Sequence, residues 1–373
     1  MTNMKLDNPF PVFGYFGPEY FCDRVIESQK LREALENGRN VTLIAPRRLG
    51  KTGLIHHVMN DLTARGAAKC IYLDIFAVKT LPEFVQVFAT AVFSSLETRL
   101  ERATKAAGRI LGACRPNVSI DSVTGSPTLS FSMDHSEAER TLKEIFEYLA
   151  RQDRKLVIGI DEFQQVAEFP EKGTEALLRS YIQFLPNVRF IFAGSKAHMM
   201  SEMFLTATRP FYKSTQNLSL RVIAPDVYFD FAVGFFARAN RELARSAFDL
   251  AYRLSDGVTW EVQSILNRIW TRRASTIDEE VVRAVVDEII SENADEYAVL
   301  VANLTVNEAK ILRAVARRRL VSAPTSAEFV QETGLSPSSI TLAVKNLCEA
   351  QHLYRAENGL LVYDRFFGLW LAR

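Results

Sequence analysis

Residues 40–64 read NVTLIAPRRLGKTGLIHHVMNDLTA. The first six are a β-branched and apolar run, the middle is a basic turn closed by Gly50, and residues 53–64 are apolar-rich with helical character. A strand, a loop and a helix therefore follow one another. Within that unit, APRRLGKT at 45–52 meets the pattern GxxxxGK(S/T) except that Ala45 stands in the first glycine position. Such a loop wraps backbone N–H groups around a β-phosphate while the following helix points its positive end at the same anion. Gly50 permits the close approach and Pro46 stiffens the entry. Lys51 is expected to reach the β- and γ-phosphates, and the Thr52 hydroxyl to hold Mg²⁺. Ala45, Pro46, Arg47, Arg48, Leu49, Gly50, Lys51, Thr52 and Gly53 are the expected nucleotide cradle.

Further along, apolar runs at 70–75, 155–162 and 188–195 read as buried parallel strands separated by helical stretches. The alternation predicts an α/β fold, a P-loop NTPase parallel sheet with helices on both faces. The second run, KLVIGIDE, ends in Asp161 and Glu162, and charges at the C-terminal end of a buried parallel strand reach the ligand crevice. Asp161 is expected to bind Mg²⁺ through water and Glu162 to polarise the attacking water. The third, VRFIFAGS, delivers Ser195 to the same edge, with Lys196 and His198 as alternatives. His56 and His57, one turn into the helix after Thr52, read as stacked or core residues ahead of metal ligands.

With 373 residues the chain has room for two or three domains. Hydrophobic residues make up 48% and charged residues 24%, which excludes a disordered or fibrous chain. Lys+Arg 45 against Asp+Glu 44 leaves +1, so no global field draws it to nucleic acid or an anionic membrane. The 4 cysteines, Cys22, Cys70, Cys114 and Cys348, lack metal or CxxC spacing and are expected as free thiols. Residues 1–17 carry no export signal and no run is long enough to span a membrane, which makes the cytoplasm the expected location. Residues 1–225 form the expected ATPase core, with a hairpin insertion at about 115–134, where Gly and Pro punctuate two alternating runs. Amphipathic helices at 226–303 form a lid.

The segment YFCDRVIESQKLREALENGRNVTLIAPRRLGKTGLI resembles the opening of the archaeal-type ATPase family, an AAA+ group related to origin-recognition ATPases and to STAND NTPases. Phe21, Asp23 and Arg24 match its entry motif, and the likeness continues through IDEFQQ, AGSKAHMM, RPFYK at 209–213 and YDRFFGLWL, covering nearly the whole chain. The resemblance implies ATP or ADP with Mg²⁺ as ligands, and contacts from Phe21 and Arg24 to the nucleotide. It also makes Arg209 the candidate for a transition-state arginine, in cis or in a neighbouring subunit of a homo-oligomer, with a surface arginine as the other reading. Arg47 and Arg48 read as facing a partner domain or solvent. The lid stretch DGVTWEVQSILNRIW departs from the origin-recognition branch, having no Arg beside Gly257 or Trp260.

Residues 304–373 lay out three helices, with Gly334 at the bend and Pro337 opening the third, followed by a hairpin at Asn358 and Gly359. This resembles a winged helix-turn-helix. Ile340, Val344 and Leu347 face the core, leaving Ser338, Ser339, Thr341 and Lys345 outward, with Arg355 on the wing. Both duplex DNA and a protein partner fit that surface, since Leu342 lies on it. The expected protein is an ATP-binding and hydrolysing AAA+ switch of slow turnover that couples nucleotide state to the winged module. The other reading is a nucleotide-stabilised DNA-binding regulator or adaptor with negligible turnover.

Overall fold

A computed structural model describes residues 6–96, 117–120, 127–130, 135–356 and 358–373. The chain divides into two compact units, Gly14–Arg221 and Met1–Phe13 with Val222–Arg373.

The first unit is built on a sheet of β1 (Val41–Ile44), β2 (Lys69–Asp74), β5 (Leu156–Asp161), β6 (Val188–Gly194) and β7 (Gln216–Ser219) in the order β2-β5-β6-β1-β7. Every pairing is parallel. All of β5 is buried, as a central parallel strand covered on both faces must be, which is why its sequence is a continuous apolar run. β7 has no such run. Only Leu218 of it is buried, and an edge strand with one covered residue leaves no period to read. The connecting helices are α1 (Val25–Glu36), α2 (Lys51–Ala64), α3 (Leu81–Leu96), α4 (His135–Ala150), α5 (Thr174–Ile182) and α6 (Ala197–Leu205). β3 (Asn117–Ile120) pairs antiparallel with β4 (Pro127–Ser130) within the expected insertion, the rest of which lies outside the described residues.

Gly159 sits on β5 where a Cβ would come 2.7 Å from Met59 Cε, so its absence lets α2 lie close on the sheet. That closeness sets the height of the loop before α2. Phe163, Phe192, Phe204 and Phe211 form a ring cluster with centroids 4.6–5.9 Å apart, each buried. Burial of one such side chain contributes about 1.5–3 kcal/mol.

In the second unit, helices α7 (Pro225–Arg238), α8 (Arg245–Leu254), α9 (Thr259–Thr271), α10 (Glu279–Glu292) and α11 (Ala294–Ala302) are joined by a two-residue parallel pair, β8 (Glu242–Leu243) with β9 (Thr276–Ile277), which the sequence reading did not contain. The assignment of residues 1–225 to one core needs correction at its start. Phe10, fully buried, stacks on Phe236 and meets Trp270 edge-on, and Asn267 bonds the Phe10 carbonyl at 2.8 Å. The apolar anchor of residues 6–13 is thus among helices of the second unit.

The C-terminal portion has α12 (Val306–Arg318), α13 (Ala327–Thr333) and α14 (Pro337–Glu349), then β10 (Leu353–Ala356) antiparallel to β11 (Gly359–Val362), and α15 (Arg365–Leu371). Thr305 and Glu308 close a capping box on α12, Ser326 and Ser336 cap α13 and α14, and Gly334 takes the left-handed bend at φ 63°. Gly359 is required for the wing, because a Cβ there would lie 2.6 Å from the Val321 carbonyl. Cys22, Cys70 and Cys348 are free thiols, and Cys114 lies outside the described residues. Among the described residues no helix is long and apolar enough to cross a membrane.

Candidate functional site

The loop between β1 and α2 is built for an anion. Arg48 at φ 70° and Gly50 at φ 86° are left-handed on either side of Leu49, the alternation that turns successive N–H groups inward. Ala45 is not among the positive-φ residues, so the position that departs from the glycine pattern makes no demand for glycine. Arg24, 3% exposed, braces the loop from outside, with Nη2 donating to the Leu49 carbonyl at 2.9 Å and Nη1 to the Arg221 carbonyl at 2.6 Å and to Glu27 at 3.1 Å. One of these three bonds reaches the loop backbone, at Leu49. The Phe21 ring lies against Gly53, where a Cβ would be 3.4 Å away, and stacks on His57 at 4.4 Å. Arg47 lies over the Phe76 ring at 5.2 Å and Arg48 is exposed.

At the C-terminal ends of β1, β5 and β6 the expected side chains converge. Lys51 Nζ lies 2.9 Å from both Asp161 Oδ1 and Glu162 Oε1. Thr52 donates its hydroxyl to Asp161 Oδ2 at 2.7 Å, and Ser195 donates to Glu162 Oε2 at 2.7 Å. Glu162 is left-handed at φ 57°, a conformation a non-glycine residue adopts at some cost, which aims its carboxylate back toward the loop. Burial by itself would raise both carboxyls. The Lys51 charge, with the hydrogen bonds of Thr52, Lys51 and the Glu162 amide on Asp161 and those of Gln164, Lys51 and Ser195 on Glu162, outweighs it and holds both below the ordinary carboxylate range. Both are anions at neutral pH.

Two further residues belong here that sequence reasoning missed. Tyr72, on the neighbouring strand β2, donates to Asp161 Oδ2 at 3.1 Å. Gln164 donates to Glu162 Oε2 at 2.6 Å. Tyr72 is one residue of an apolar strand and carried no signal, whereas Gln164 stood in the motif IDEFQQ without a role. Asp74, opposite Asp161 in the strand register, is pushed up by burial and by the charges of Asp161 and Glu162. His56 packs on Tyr72 at 4.4 Å, His57 on Phe21 with Nδ1 3.0 Å from Tyr15 Oη, and burial lowers both imidazoles.

Of the remaining candidates, Lys196 is spent on Glu168 at 2.6 Å, so Ser195 is the polar residue that β6 delivers to Glu162. Arg209 is held at 2.5 Å by Glu175 and at 3.6 Å by Glu202, away from the two carboxylates. The donors at the site are hard oxygens, a hydroxyl and a carboxylate 2.7 Å apart, which fit Mg²⁺ rather than a thiophilic metal.

This arrangement coincides with a family signature. Residues 21–265 match the profile described as "ATPase domain predominantly from Archaea". The chain belongs to that ATPase family. Residues 295–373 match the profile described as "probable winged helix domain". No curated protein matches the chain in sequence. Among solved structures, this archaeal-type ATPase is similar to the Walker-type ATPase of Pyrococcus abyssi, with 18% identity and TM-score 0.68 over 98% of this chain and 100% of that one. It is also similar to two Aeropyrum pernix proteins. The ORC2 protein, in complexes with ADPNP and ADP, has 15% identity and TM-score 0.59 over 98% and 95% of the chains. The ORC1 protein, in complex with DNA, has 16% identity and TM-score 0.56 over 98% and 96%. At these identities the likeness establishes the fold alone: a P-loop-type parallel α/β sheet followed by helices and a C-terminal winged helix.

Proposed function

We propose that the protein is an ATP-hydrolysing AAA+ switch of slow turnover that passes its nucleotide state to the winged helix. The loop at 45–53 cradles the phosphates, with Lys51 on the β- and γ-phosphates and Phe21 near the nucleotide. Thr52 and Asp161 hold Mg²⁺, which when bound offsets the charge of the phosphates. Glu162 accepts a proton from the attacking water, and Ser195 fixes the Glu162 carboxylate. A transition-state role for Arg209, in cis or across a homo-oligomer, needs it to leave Glu175 and Glu202. The observation that carries the reading is the meeting of Lys51, Thr52, Asp161, Glu162 and Ser195 within hydrogen-bond distance from separate strand ends.

The test is Glu162→Gln. ATP binding should stay close to wild type while hydrolysis slows by about 10²- to 10⁴-fold, as for a lost general base. An unchanged single-turnover rate would reduce Glu162 to a partner of Lys51.

For the output we propose duplex DNA, contacted through Ser338, Thr341, Lys345 and Arg355, all exposed. The exposure of Leu342, at 61%, favours a protein partner as the second reading. The engagement of both Glu162 oxygens, Oε1 by Lys51 and Oε2 by Gln164 and Ser195, favours, likewise, a nucleotide-stabilised regulator with negligible turnover. Turnover measured with and without duplex DNA separates these.

A further inference from the structure

Glu162 Oε2 receives two donors, Gln164 Nε2 at 2.6 Å and Ser195 Oγ at 2.7 Å, while Oε1 faces only Lys51 Nζ at 2.9 Å among the hydrogen bonds of its side chain. The two oxygens are therefore not equivalent. Gln164 is 1% exposed in the short turn Phe163–Glu168, and its Oε1 is buried without a hydrogen-bond partner. A buried glutamine with an unpartnered oxygen is a poor core residue, since an apolar side chain of the same shape would serve packing better. The surroundings are nevertheless cut to fit it. A Cβ on Gly194 would come 2.3 Å from Gln164 Oε1 and 2.5 Å from Met200 Cγ, so the glycine of AGS opens the room in which the amide lies across β6.

We infer that Gln164 is a positioning residue for Glu162, and that together with Ser195 it pins Oε2 so that Oε1 is the oxygen that takes the proton. The inference rests on the proposed role of Glu162 as base. When the phosphates draw the Lys51 ammonium away, Oε1 is the acceptor that is released and Oε2 stays occupied. The water O–H then breaks toward Oε1, the water oxygen bonds to the γ-phosphorus, and the bridging oxygen leaves with its electron pair on ADP. Without Gln164 the carboxylate is free to rotate about its terminal torsion, and misplacement of a reacting group by about 1 Å costs on the order of 10²-fold in rate.

The test compares the full chain with Gln164→Met, which keeps the length and bulk and loses the donors. We expect kcat to fall by roughly 10- to 100-fold, with KM for ATP and the affinity for ADP within about twofold of wild type. The melting temperature should not drop, because the unpartnered oxygen is removed too. Gln164→Asn, one methylene shorter and as polar, should show the same split and serves if the Met variant does not fold. In a Glu162→Gln background, Gln164→Met should cost nothing further. A folded Gln164→Met with kcat close to wild type overturns the inference, as does a fall in kcat matched by an equal loss of ATP affinity. If Glu162→Gln itself leaves the rate unchanged, the proposed function falls with it. If Glu162→Gln is slow and Gln164→Met is not, only the role of Gln164 falls.

Discussion

Replacing Lys51 by Ala or Met should weaken the nucleotide-free protein as well as abolish tight ATP binding. The Lys51, Asp161 and Glu162 side chains are 7%, 3% and 13% exposed, and the ammonium is the cation 2.9 Å from a carboxylate oxygen of each. Deleting one member of a buried ion pair costs about 3–5 kcal/mol, because the partner is left charged and uncompensated. Here the lower end applies. Thr52, Tyr72 and the Glu162 amide still bond Asp161, and Gln164 and Ser195 still bond Glu162. A loss of about 3 kcal/mol is a rise of roughly two decades in the unfolded fraction, or about 6–12 °C in melting temperature for a unit of this size. The deficit should also depend on pH, with a definite sign. In the wild type both carboxyls lie below their ordinary values, so their contribution is intact at neutral pH and fades only as the solution falls below the ordinary values of 3.8 and 4.5 toward the lower folded ones. In the variant the burial that raises them is opposed only by the remaining hydrogen bonds, so both carboxyls move up from their wild-type positions. Relative to the wild type, the variant therefore regains stability as the pH falls from neutral toward the ordinary carboxylate range, while the loss from the buried imidazoles of His56 and His57 is common to both. Urea unfolding of both proteins without nucleotide, followed across that range, is the assay. Equal stability at neutral pH, or a deficit that does not narrow in acid, would refute the argument.

Arg24→Ala should loosen the phosphate loop, since bonds to the Leu49 and Arg221 carbonyls are lost together, and lower ATP affinity by about tenfold without a selective effect on kcat; equilibrium titration with ADP checks it. Arg24→Lys should rescue little, because one ammonium cannot span the same acceptors. Replacing Lys345 and Arg355 together by Ala should reduce the slope of log K against log salt for duplex DNA by about two. Anisotropy over a salt series measures this, and no binding by the wild type at low salt would turn the output reading to a protein partner.

Much of this site was legible because its chemistry is written in contiguous residues. The phosphate loop must lie between a strand and a helix, and β5 must be apolar throughout to sit in the middle of a parallel sheet, so Lys51, Thr52, Asp161 and Glu162 could be read from position alone. What escaped is of another kind. Tyr72 reaches Asp161 because β2 happens to be the neighbour of β5, and strand order is not encoded in any local pattern. β7 is an edge strand held by its pairing with β1, and QNLS has neither length nor alternation to announce it. Phe10 lies far in sequence from Phe236 and Trp270, so its place among the helices of the second unit follows from packing.

The lid stretch that departs from the origin-recognition branch has an acid where an arginine was sought, and the structure gives that acid a use. Asp256 is left-handed at φ 48° and Gly257 at φ 69°, where a Cβ would meet the Tyr252 ring at 2.5 Å, so the bend between α8 and α9 is rigidly set. Asp256 Oδ1 accepts from Arg319 at 3.1 Å and Oδ2 lies 2.8 Å from Arg365 Nε. The Arg365 amide in turn donates to Glu261, which is fully buried. Arg319 ends α12 and Arg365 opens α15 within YDRFFGLWL, so both belong to the winged helix. Within the winged-helix match itself, Tyr297 packs its ring 5.0 Å from Phe367 and 5.8 Å from Trp370. One acid thus meets two arginines from separate elements of the winged helix. The closing motif therefore ties the α8–α9 bend to the winged helix through Asp256 and Glu261.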